Sequence, residues 1–114
     1  MNQQTIIRRR LLSASLGRKS VTSVDVREII FQPGQETGRH KHPCPVLGYI
    51  AEGEALFQIV GQGAQRRPTG TSFYEPAETV IARFDNASST ARMKFIAFYL
   101  LEGEQELIEL LPKQ

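Results

Sequence analysis

The chain has 114 residues, 40% of them hydrophobic and 23% charged, a balance that fits one globular domain with its own core and excludes a disordered chain. Its formal net charge of +2 excludes a broad basic surface for nucleic acid. A lone cysteine, Cys44, excludes an internal disulfide framework and suits a reducing cytoplasm.

Residues 5–12, TIIRRRLL, read as a first strand. The basic run at residues 8–10 is followed by only Leu11 and Leu12, whereas a secretory leader needs about 7–15 apolar residues there. The run is therefore a solvated strand or arm, and no stretch is apolar for long enough to span a membrane. Residues 13–20, SASLGRKS, form a loop. Residues 21–31, VTSVDVREIIF, alternate apolar and polar, with Val24, Val26 and Ile30 on one parity, and predict a strand. Pro33, Gly34 and Gly38 mark a turn, after which GRHKH resumes an extended chain.

His40 and His42, the only histidines, follow that turn. Alternate residues of a strand share a face, so the two imidazoles stand side by side and can grip one metal ion. Residues 47–60, LGYIAEGEALFQIV, predict a hairpin turning at Glu52-Gly53. Three glycines and a proline make residues 61–71 a loop that holds Arg66 and Arg67. SFYEPAE is a short strand broken by Pro76, and TVIARFDN is a strand ending in turn residues. RMKFIAFYLLE is the last clear strand and is apolar on both parities. In the tail, Leu107, Leu110 and Leu111 recur at helical spacing until Pro112 ends the segment. Short strands at this spacing predict an all-β sandwich or barrel.

The arrangement resembles the small single-domain cupins of the RmlC-like superfamily. Pro33, Gly34, Gly38, His40, His42, Pro43, Tyr49, Glu52 and Gly53 match their first motif; Gly70, Phe73, Glu75, Pro76 and Asn86 match a relaxed second one. The resemblance covers residues 24–101. It implies a double-stranded β-helix (jelly-roll) barrel, usually a homodimer, with residues 1–23 as an N-terminal strand or arm and 102–114 as a tail of the same single domain. It also implies four metal ligands, two of which are replaced. The first-motif acid falls at Val46 and the second-motif histidine at Ile81.

The ligand set then stops at His40 and His42. Cys44 continues their alternation, but Pro43 and Pro45 interrupt the strand around it. Glu52 sits in the hairpin turn, and Glu75, just before Pro76 at the barrel rim, is set aside with it. A pocket is expected among His40, His42, Val46 and Ile81, with Arg83 at its mouth because it shares the parity of Ile81. The leading reading is a cytoplasmic small-molecule-binding cupin with an incomplete metal site and no cofactor, no nucleic-acid partner and no membrane partner. The alternative is a metal-dependent enzyme of dioxygenase, isomerase or decarboxylase type, holding Zn, Fe, Mn or Ni weakly on His40 and His42. No residue is assigned to catalysis. The two apolar faces of the last strand predict a homodimer, with Phe98 on the contact face.

Overall fold

The computed structural model describes residues 5–112; residues 1–4 and 113–114, the far ends of the arm and the tail, lie outside the described residues. Nine strands appear among them: β1 Ser23–Phe31, β2 His40–Lys41, β3 Val46–Glu52, β4 Glu54–Ile59, β5 Gln65–Pro68, β6 Ser72–Glu75, β7 Ile81–Asn86, β8 Met93–Leu101 and β9 Glu109–Leu110. They form one sheet in the order β1-β8-β3-β6 and a second in the order β5-β4-β7-β2-β9, every pairing antiparallel. This is the all-β jelly roll that the strand spacing and the resemblance predict. No helix among the described residues is long and apolar enough to cross a membrane.

The inner faces meet through aromatic rings. Phe84 of the second sheet lies with its ring centroid 4.8 Å from those of both Phe73 and Phe95 of the first. Burying side chains of this size is worth about 1.5–3 kcal/mol each. Gly48 makes the packing possible. It stands opposite Phe73 in the β3–β6 register, and a Cβ built on it would lie 2.0 Å from the Phe73 Cζ. The ring cannot swing away, because Phe84 and Phe95 hold its other sides. Gly48→Ala is therefore expected to cost about 1–3 kcal/mol by overpacking. Urea denaturation measures this as a lower midpoint with an unchanged slope.

Four elements differ from the expectation. Residues 5–12 form no strand. Their apolar residues come in two blocks around residues 8–10 instead of alternating, so no single face can be buried. Part of the arm lies beside the first sheet, where Arg9, Leu11 and Leu12 line a shallow groove with Leu47, Tyr49 and Phe98. The predicted hairpin at Glu52-Gly53 is a corner between sheets. β3 pairs with β6 and β8 while β4 pairs with β5 and β7. Gly53 takes φ 81° there, and a Cβ on it would meet the Arg92 carbonyl at 2.8 Å. The tail is not helical either. Its residues Glu109–Leu110 add to β2, and the Leu111 N–H donates to the Arg39 carbonyl, so backbone groups on the open β2 edge outweigh helical leucine spacing. The loop expected at residues 61–71 holds one more strand, β5.

The double apolar character of β8 is visible in the sheet. Met93, Phe95, Ala97 and Tyr99 are buried inward, while Ile96, Phe98 and Leu100 look outward. Across the outer face Val26, Phe98, Leu47 and Tyr74 stand in one register row.

Candidate metal centre

β2 is only two residues long, because the chain bends at Pro43 and Cys44 and leaves the sheet. That is enough to aim both histidines inward: His40 is 2% exposed and His42 4%. Each ring is oriented through Nδ1. His40 Nδ1 lies 2.8 Å from the Gly38 carbonyl oxygen, a local bond made where Gly38 turns at φ 87°. His42 Nδ1 lies 2.6 Å from the Leu107 carbonyl oxygen, 65 residues further along the chain. A carbonyl only accepts, so both Nδ1 atoms carry hydrogen and both Nε2 atoms face the interior.

What they face is Glu75, itself 4% exposed. Its Oε1 lies 3.0 Å from His40 Nε2, and its Oε2 lies 3.4 Å from His42 Nε2. The second contact is too poorly directed for a hydrogen bond, which leaves the His42 Nε2 buried without a partner. His40, His42 and Glu75 each offer a ligand atom, and these atoms lie within 4.8 Å of one another. A metal ion there would satisfy the stranded nitrogen, and two imidazoles with one carboxylate is a donor set that suits Fe, Zn, Mn or Ni. The residues fit a metal.

Its place before Pro76 in the sequence puts Glu75 at the barrel rim, away from the histidines. The structure corrects that placement. Pro76 ends β6 just after Glu75, and the strand up to that point is regular, so Glu75 shares the inward parity of Phe73. In register it lies directly opposite Val46. The acid absent at position 46 is thus supplied from the neighbouring strand, onto the same patch of the same face. Cross-strand register carries that relation, and nothing local in the sequence points to it.

The remaining predicted site residues divide. Val46 lines a cavity of about 90 Å3 together with His40, His42 and Glu75. Ile81 is fully buried and pairs with His40 in register, yet it is not among the residues lining that cavity. Arg83 is exposed. The parity argument that joined it to Ile81 fails at a β-bulge: Gln58 pairs with Arg83 but Ile59 pairs with Ile81, so one extra residue on β7 turns Arg83 outward. Cys44 is buried and free but lies outside the ligand cluster, and burial pushes its thiol up. The sequence reading did not name Tyr99 and Ile108, which also line the cavity. Tyr99 stands in one row with Val46 and Glu75 across β8, β3 and β6. Burial first, and then the charge of Glu75, push its phenol up to about 12.

Burial by itself would lower His42, but the Glu75 carboxylate and the Leu107 carbonyl more than offset it and raise it above 6.5. Burial by itself would raise Glu75, but the hydrogen bond from His40 and the His42 imidazole beside it hold it below 4.5. The signs define a window. Stability from raised His42 is complete below pH 6.5 and is lost as pH climbs through its folded value. Stability from lowered Glu75 is present above pH 4.5 and is lost as pH falls through its folded value. Metal-stripped protein is therefore expected to be most stable between pH 4.5 and 6.5, read as the thermal midpoint across a pH series. A metal must displace the His42 proton, so metal affinity should rise with pH over the range where that stability is lost.

A cupin-domain family model matches residues 27–99. The chain belongs to the cupin family. Comparison with curated proteins finds no match. Among solved structures, this cupin is similar to the DMSP lyase DddQ from Ruegeria pomeroyi, at 18% identity and a TM-score of 0.66 over 77% of this chain and 43% of the other. A cupin-like protein from Thermotoga maritima matches at 22% identity and a TM-score of 0.63, over 77% of this chain and 64% of that one. The polyketide cyclase RemF from Streptomyces resistomycificus matches at 16% identity and a TM-score of 0.65, over 80% and 62%. The chain thus spans about two-fifths to two-thirds of the length of these proteins. At such identities the likeness is one of fold, and the functions are as different as lyase and cyclase.

Proposed function

We propose that this cupin holds one divalent transition-metal ion on His40, His42 and Glu75 and binds a small molecule at the metal's open positions. The supporting observation is the convergence of three buried ligand atoms at the wall of a cavity, one of them an imidazole nitrogen without a hydrogen-bond partner. A bound metal would supply Lewis acidity there and a fixed point for an oxygen ligand. The protein supplies orientation through the two Nδ1 bonds and apolar walls from Phe73, Phe95 and Val46. The test uses protein purified without a histidine tag, stripped by a chelator and titrated with Co2+, Zn2+, Mn2+ and Fe2+. One equivalent bound per chain supports the reading.

The second reading is metal-free binding of a small molecule in the same cavity. It is favoured by the 3.0 Å bond between His40 and Glu75, which already pairs two of the three groups. Failure of all four ions to bind selects it.

In solution the chain is a homodimer closed through the outer face of the β1-β8-β3-β6 sheet. The reading rests on Val24, Val26 and Ile30 of β1, exposed beside the groove where the arm meets Leu47, Tyr49 and Phe98, an apolar strip that a single copy leaves in water. Glu28 and Lys94 on that face, 3.9 Å apart, supply opposite charges that a two-fold axis can exchange between copies. Sedimentation at micromolar concentration should give about twice the 12.8 kDa chain mass. Phe98→Glu should give a folded monomer, since the side chain is outward and partly exposed. A wild-type monomer would refute the assembly.

A further inference from the structure

Resting on that metal reading, the cavity also says what kind of molecule fits. Its volume is about 90 Å3. An apolar cavity of about 150 Å3 accepts benzene, so the space here suits a ligand smaller than that, about four or five non-hydrogen atoms. Its walls are apolar where Ile29, Phe31, Phe73, Phe95 and Ala97 line it. Of the lining residues only Glu75 is an acid and none is lysine or arginine.

The charge count follows. With neutral imidazoles, a divalent ion and the Glu75 carboxylate sum to a net charge of +1. An isolated charge against aromatic walls is costly, and a ligand carrying one negative charge removes it. A neutral ligand leaves the excess in place, and a dianion reverses it. Tyr99 adds a second recognition element. Its ring centroid lies 5.9 Å from that of His42, and it borders the cavity in the row of Val46 and Glu75. A phenol donates one hydrogen bond to an anionic oxygen.

We propose that the metal-loaded site selects small monoanionic carboxylates of acetate or glycolate size, with Tyr99 as the hydrogen-bond donor to the bound anion and Ile108 of the tail as the wall that limits chain length.

The experiment is calorimetric titration of the Co2+-loaded protein with acetate, glycolate, acetamide, malonate and benzoate, with the Co2+ absorption spectrum followed in parallel. Acetate and glycolate should bind at least tenfold more tightly than acetamide, malonate or benzoate, and should change the spectrum. Tyr99→Phe should weaken glycolate about tenfold while Co2+ affinity stays within about twofold, because the lost bond is one to a charged group. Ile108→Ala should admit longer monoanions such as valerate with unchanged Co2+ affinity. Equal binding of acetate and acetamide, tight benzoate binding, or a Tyr99→Phe protein that binds glycolate as before would overturn the proposal and leave the metal reading standing. Absence of Co2+ uptake in the first titration would overturn both.

Discussion

Glu75→Gln is expected to abolish tight metal binding, lowering affinity by at least about 100-fold. The substitution keeps the size and position of the side chain and removes only its charge. It leaves two imidazoles and a neutral amide, a set no better than the bare histidine pair. The fold should survive, because a glutamine opposite Val46 can still bond to the His40 Nε2 that now lies 3.0 Å from the carboxylate. The readouts are metal content after dialysis and the far-ultraviolet dichroism of the stripped protein. Metal retained at wild-type affinity in a folded Glu75→Gln protein would show that the carboxylate is not a ligand. The same variant should lose the low-pH limb of the stability profile, since no Glu75 carboxylate remains to be protonated.

Ending the chain after Leu101 is expected to weaken metal binding about 10- to 100-fold without removing a ligand. The tail carries the Leu107 carbonyl that fixes the His42 Nδ1 hydrogen, and Ile108 beside it closes part of the cavity. Without that carbonyl His42 can rotate and take either tautomer, while His40 keeps its local bond to Gly38. The effect should therefore be seen at one histidine, as a changed nitrogen-15 shift for His42 with that of His40 little altered. Most of the core should remain, because the described part of the tail joins the sheet through the two-residue β9 at its edge and Leu107 is only partly buried against the core. Thermal unfolding beside the metal titration separates the two effects: a truncated protein that is folded and binds metal as tightly as the full chain would exclude a role for the tail.

The fold and two of the three candidate ligands are legible in the sequence. Turn residues at short intervals and period-two strands point to an all-β sandwich or barrel, the cupin resemblance narrows it to a jelly roll, and His40-x-His42 after a glycine turn puts two imidazoles on one face. These are short-range relations, fixed by the alternation of side chains along one strand. The features that were misread are relations between strands. Gly53 reads as a hairpin in sequence because a tight glycine turn looks the same whether the next strand pairs back or crosses to the other sheet. Parity puts Arg83 with Ile81 only on a regular strand, and a bulge leaves no local signature in IARFDN. The tail's leucines carry a helical period that the open edge of β2 overrides. Above all, the third ligand depends on the register of β3 against β6, which sets Glu75 opposite Val46, and on a tail that returns over 65 residues to hold His42. An apolar residue at position 46 looked like a lost acid. Only tertiary structure could move the acid across to the next strand, because the distance that matters to a metal is measured through space, where strands about 4.8 Å apart are neighbours whatever their separation along the chain.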